Sequence, residues 1–193
     1  MLFRNFVLLL FIFFTFGLPL YTKETSEQSK SKFKSLKIPV EINLCDNRVL
    51  KGKLELSIPE KIIITHEVNG LEFTKEIKIE DINTIILNGW SPELIEIKKD
   101  KGKIYRFNVT NYTITTEDAL ELKVKNKLPD FLEKFVFSNK YGIVILYTYW
   151  IDLLRKDNTW YTGLNGPENG ERTFCYKDVV KKIIFLKKDK KDS

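Results

Sequence analysis

Residues 38–44 read Ile38-Pro39-Val40-Glu41-Ile42-Asn43-Leu44, with an apolar side chain at every second position. Successive residues of a strand point to opposite faces, so this alternation marks a strand with one face in a core and one in water. The same period continues outward from it. Asp46-Asn47 is a turn pair, and Leu50, Leu54, Leu56 and Ile58 resume the pattern, with Gly52 where a strand could bend. Pro59-Glu60 breaks it, Ile62 to Ile64 restarts it and Val68 ends it. Asn69-Gly70 signals a tight hairpin, because both central positions of a type I′ turn need positive φ. Leu71, Phe73, Ile77 and Ile79 make a fourth strand, Glu80-Asp81-Ile82 a single helical turn, and Thr84 to Leu87 a fifth strand. The residues expected inside are Ile42, Leu54, Leu56, Ile64, Ile79 and Ile85.

Four strands, one short turn and a terminal strand, carried by Asp46-Asn47-Arg48-Val49-Leu50-Lys51-Gly52 and then Ile79-Glu80-Asp81-Ile82, resemble the SH3-like and Sm-like small β-barrels over Ile38 to Leu87. The resemblance implies a closed barrel over 38–92. Small barrels host many functions, so none follows from the fold. Sm-type barrels bind RNA, and SH3-type barrels bind extended peptides through clustered aromatics. Phe73 is the only aromatic between Ile38 and Gly89, so that peptide groove is not evident here.

The chain end echoes this unit. Phe174 to Phe185 aligns with Ile77 to Leu87 when one residue is inserted. Phe135 to Phe137, a long strand Ile143 to Trp150, and Thr159 to Tyr161 precede it. A second barrel-like β unit is therefore expected over 130–186. Leu94 to Ile97, Ile104 to Val109, Tyr112 to Thr115 and Leu120 to Val124 are connecting strands within 93–129, with a charged turn at Lys98 to Lys103. Leu128 to Phe137 fits a short helix or a strand equally. The fold class is thus mainly β: two small SH3-like barrel units joined by additional strands, after an N-terminal signal helix.

The N-terminus sets the compartment. Arg4 precedes a run from Phe6 to Leu18 that is apolar apart from Thr15 and Gly17; Pro19 then ends it, and a polar stretch begins at Lys23. This is the order of an export signal, expected over 1–22. As a helix the run reaches about 20 Å, short of a bilayer core of about 30 Å. Residues 2–21 reach that length only by including Arg4, Asn5 and Pro19, the alternative being an uncleaved inner-membrane anchor. Residues 23–37, rich in Ser and Lys, read as a flexible linker. The expected location is the periplasm or cell surface. The Ile-, Lys-, Phe- and Asn-rich composition, Asn88-Gly89-Trp90-Ser91-Pro92 and Tyr147-Thr148-Tyr149-Trp150 are similar to exported proteins of spirochaetes of the Leptospira type. That likeness implies compartment and barrel architecture.

Formal net charge is +6. Basic and acidic residues balance between Ile38 and Leu186, so the excess sits at Arg4, in 23–37 and in the basic tail 187–193. A phosphate-tracking face for nucleic acid is not implied. Cys45 and Cys175 are the only cysteines. In an oxidising compartment the pair invites one disulfide; the alternative is two separate buried thiols.

His66 is the only histidine and the cysteines lack paired spacing, so no metal site, cofactor or His-dependent triad is called for. Carboxylates for glycoside hydrolysis could come from Asp152, Asp157, Glu168 and Glu171, near the Gly163 to Gly170 loop. The stronger signal is aromatic: Tyr147, Tyr149, Trp160 and Tyr161 fall within fifteen residues. Tyr147 and Tyr149 share one strand face and Trp150 lies on the other with Thr148. Tyr and Trp tolerate a half-wet site because each carries a polar tip, so these four are the candidate binding residues. The function expected is that of an exported non-enzymatic envelope protein binding a protein or cell-wall polymer. A secreted carbohydrate-active enzyme and a structural spacer are the alternatives.

Overall fold

The computed structural model describes residues 34–59, 61–161, 167–168 and 175–186, which form one compact unit. The signal reading of 1–22, most of the linker and the tail 187–193 lie outside the described residues. Strand β1 (Lys34–Leu44) already includes the last four residues of the expected linker, because Lys34 to Lys37 pair with β2 (Val49–Ile58). Strands β3 (Ile62–Val68) and β4 (Leu71–Ile77) form their own hairpin through the Asn69-Gly70 turn, where both residues have positive φ. A 3-10 turn at Ile79–Asp81 stands where the single helical turn was expected.

Strands β5 (Ile82–Lys98) and β6 (Gly102–Thr116) make one long hairpin, and β7 (Glu121–Val124) pairs with β6. The four short strands expected between Thr84 and Thr115 are therefore pieces of two. Register shifts near Ile82, Gly89 and Ile95 reset the alternation, so each strand reads as separate fragments. After a 3-10 turn at Asp130–Leu132 come β8 (Lys134–Asn139), β9 (Gly142–Tyr147), β10 (Trp150–Leu154), β11 (Trp160–Tyr161), β12 (Pro167–Glu168) and β13 (Val180–Phe185).

These strands do not form two barrels. Ten of them run β12-β11-β10-β6-β5-β13-β1-β2-β8-β9 in a single antiparallel sheet that does not close, with β7 attached to β6. The pivotal strand is β13. It pairs with β1 on one side, Ile42 opposite Ile183, and with β5 on the other, Ile85 opposite Ile183. The residues assigned to a second unit at 130–186 and those assigned to a first at 38–92 thus share one sheet. The physical reason is burial: Val180, Ile183 and Phe185 supply the apolar row between those of β1 and β5. The echo between the two ends corresponds to neighbouring antiparallel strands, not to two cores.

The alternating residues do line the core. Ile42, Leu54, Leu56, Ile64, Ile79 and Ile85 are all buried in one cluster with Leu122, Phe135 and Phe137. Gly52 is required for close approach: a Cβ there would lie 2.3 Å from the Ser138 carbonyl oxygen and 2.6 Å from the Phe137 ring.

Candidate functional site

The expected strand Ile143 to Trp150 is broken at Thr148, and the break builds the site. The Thr148 hydroxyl donates to the carbonyls of Leu132 (3.0 Å) and Glu133 (3.1 Å), and its N–H also donates to Glu133. Its own carbonyl accepts the Trp90 indole N–H at 2.7 Å. This pin ends β9 and turns the chain so that β10 pairs with β6, Trp150 opposite Phe107 and Ile151 opposite Arg106.

Alternation then sorts the aromatic rings. Trp150 stacks on Phe107 with centroids 4.6 Å apart and planes 4° apart. Trp160 meets Phe107 and Tyr105 edge-on, at 5.6 Å and 5.5 Å. Trp90 and Tyr176 complete this inner cluster, against which the Cys45 and Cys175 side chains also pack. Trp160 therefore belongs to the packed side of the sheet. The other three candidates face outward. Tyr147 and Tyr149 contact each other edge-on at 5.4 Å, and Tyr161 lies opposite Leu153, whose other neighbour is Ile104 on β6.

Those three rings are joined by aliphatic residues that the aromatic count did not single out. Ile143 and Ile145 occupy the outward face of β9, 77% and 48% exposed. Tyr147, 39% exposed, follows on the same face, and Tyr149 is next to it. Ile151 and Leu153 continue the row on β10 as far as Tyr161, which is 37% exposed. At the start of β9 Val144 is exposed as well as Ile143 and Ile145; from Leu146 on the faces separate, with Leu146, Thr148, Trp150 and Asp152 buried and Tyr147, Tyr149, Ile151 and Leu153 on the other side. Strand β9 is also an end of the sheet path. The sequence carried no signal for these positions: Ile143-Val144-Ile145-Leu146 is an unbroken apolar run, and in Ile151-Asp152-Leu153 the polar residue is the buried one. The adjacency of Trp160 and Tyr161 did imply opposite faces.

One charged group sits in the row. The Arg106 guanidinium lies 3.8 Å from the Tyr149 ring centroid and donates to Glu133 at 2.6 Å. Cation–π contact and a half-buried ion pair together hold the Tyr149 ring in place. Glu133 also accepts Lys127 at 3.1 Å, and this bond raises the Lys127 pKa above its ordinary value. Arg155 lies 6.0 Å from the Tyr161 ring at the far end.

The candidate acids are otherwise engaged. Asp152 is 1% exposed on the inner side and accepts the Trp150 indole N–H at 3.0 Å. Asp157 accepts the hydroxyl and amide of Thr159, which hold its carboxyl below the ordinary range. The side chains of Glu168 and Glu171, and most of the Gly163 to Gly170 loop, lie outside the described residues. Among the described residues no group of three His, Cys, Asp or Glu could hold a metal ion. His66 is buried beside Phe73, ring centroids 6.0 Å apart.

Cys45 and Cys175 are joined as a disulfide, Cα atoms 5.7 Å apart, a normal span for such a bridge. It fastens the end of β1 to the approach to β13. There the Cys45 N–H donates to the Val179 carbonyl at 3.0 Å and Arg48 pairs with both Asp46 and Asp178. The bridge is compatible with an oxidising, exported setting. No helix among the described residues is long and apolar enough to cross a membrane. Comparison with known protein families, curated proteins and solved structures finds no match for this chain.

Proposed function

We propose that this chain is an exported, non-enzymatic envelope protein that docks another envelope protein through the outward row from Ile143 to Tyr161. One observation carries the reading: aliphatic and tyrosine side chains are exposed along β9, the strand at the end of the sheet path, and on β10 and β11 after it. A contiguous exposed apolar row of this kind marks an interaction surface. The aliphatic members favour protein over sugar, because Ile143, Ile145 and Ile151 offer a saccharide no hydrogen bonds and a protein partner an apolar match. An edge strand adds main-chain donors and acceptors that an extended segment of the partner can pair with.

The disulfide and the signal-like residues 1–22 support export, and an intact mass lacking about 22 residues would establish processing. The docking test is recovery from the native envelope. Wild-type protein and an Ile145→Glu, Ile151→Glu double variant are cross-linked in place. The reading requires a specific protein adduct in the wild type that the variant loses, with the melting temperature unchanged. Equal recovery by both would remove the row from the account.

A further inference from the structure

Where β9 begins, next to Ile143, the first residue of the row, the surface changes character. A groove of about 850 Å³ lies between the start of β2 and the β8–β9 turn, lined by Lys51, Lys53, Ser138, Asn139, Lys140 and Tyr141. Its volume falls within the range of about 300–1,000 Å³ usual for small-ligand sites. No carboxylate lines it. Lys51 is shared with Glu41 at 3.0 Å, whereas Lys53 and Lys140 have no carboxylate partner among the described residues. Three lysines thus contribute to the lining of one concavity, two of them without a carboxylate partner, beside the apolar Val49 and Leu50.

We propose that this groove binds a phosphate-bearing saccharide chain, at a site that adjoins Ile143 but is lined by none of the docking row's residues. Lysines at alternate positions of β2, about 7 Å apart on one face, act as point charges at a spacing that successive phosphates of a chain can meet. Tyr141 is 85% exposed, with the Lys140 ammonium 4.9 Å from its ring centroid. An exposed ring beside a cation offers a stacking face to a sugar whose phosphate meets that cation. Asn139 Oδ1 already accepts the Tyr141 N–H at 2.9 Å, which fixes the turn and leaves the Asn139 amide NH2 and the Ser138 hydroxyl to meet sugar hydroxyls. Gly52 also lines the groove, and its missing side chain lets β2 approach Ser138 and Phe137 closely.

The test is calorimetric titration of the full chain with a phosphorylated mannan, unphosphorylated mannan, inorganic phosphate, and phosphatidylglycerol vesicles. The proposal expects phosphomannan to bind at least tenfold tighter than each of the other three. Raising NaCl from 50 to 200 mM should weaken it by about tenfold, as counterion release requires. Lys53→Glu with Lys140→Glu should lose tenfold or more, and Tyr141→Ala several-fold with the same salt dependence. Ile145→Glu, outside the groove, should leave the affinity unchanged, so failure of the groove and failure of the docking row are read separately. Equal binding of both mannans, binding to vesicles or phosphate as tight as to phosphomannan, or an unaffected lysine double variant that melts like wild type would each overturn the proposal.

Discussion

Replacing both cysteines by serine should destabilise the protein without altering its fold. The bridge spans 130 residues, from the end of the first strand to the approach to the last. Loop-closure entropy for a ring of that size corresponds to about 5 kcal/mol in the chain-entropy model, and removal of native bridges ranges over about 2–5 kcal/mol. The effect should arise in the unfolded chain, because the folded neighbourhood has other fastenings. Leu44 stays paired with Val180, the Cys45 N–H still bonds to Val179, and Arg48 still reaches Asp178. With a urea slope of about 2 kcal/mol per molar, a loss of 4 kcal/mol moves the midpoint down by about 2 M. Tryptophan fluorescence is the natural probe, since Trp90, Trp150 and Trp160 all sit in the cluster beside the bridge. A Cys45→Ser, Cys175→Ser protein with a midpoint within about 0.5 M of wild type would refute the reasoning. So would two free thiols titrated in the native, unreduced protein.

Other outcomes follow from burial. Leu54→Ala empties a fully buried position and should cost about 2–5 kcal/mol in denaturant unfolding, whereas a stable Leu54→Asp protein would contradict its core placement. Tyr112 is buried, and desolvation raises its hydroxyl pKa to about 12. The folded pKa exceeds the unfolded value near 10, so the stability it confers is complete below about pH 10 and disappears as pH rises toward 12. The loss is about 3 kcal/mol, and ultraviolet titration should show one late-ionising tyrosine. Trp160→Ala should lower stability by about 2 kcal/mol because the ring packs on Phe107 and Tyr105, while Tyr161→Ala should change it by less than about 1 kcal/mol. Thermal melts of the pair check the inward and outward assignment.

Local chemistry was legible in the sequence where it is local in the fold. Alternation from Ile38 onward put Ile42, Leu54 and Ile85 inside, and Asn69-Gly70 gave a hairpin whose positive φ values match the turn it requires. What alternation does not carry is strand order. Nothing near Val180 to Phe185 states that this segment lies between β1 and β5, since that choice depends on which apolar rows fit together across the whole chain. A small barrel and a ten-strand path share the same short strands, so the barrel resemblance could not separate them. Register shifts near Gly89 and Ile95 hid the length of the β5–β6 hairpin by changing the phase of burial partway along each strand. The candidate site divides in the same way. The shared face of Tyr147 and Tyr149 follows from spacing alone, whereas the inward position of Trp160 depends on β11 pairing with β10, a long-range fact. Arg106, which stacks on Tyr149, is more than forty residues away in sequence.

The central claim, that the outward row is the docking surface, is tested most directly by site-specific photo-cross-linking in the native envelope. A photoreactive phenylalanine analogue is placed singly at Ile151, in the row, and at Lys123, on β7 away from it. A discrete protein adduct from position 151 and none from position 123 is the predicted result. Adducts of equal yield from both positions, or none from position 151 in folded and exported protein, would contradict it.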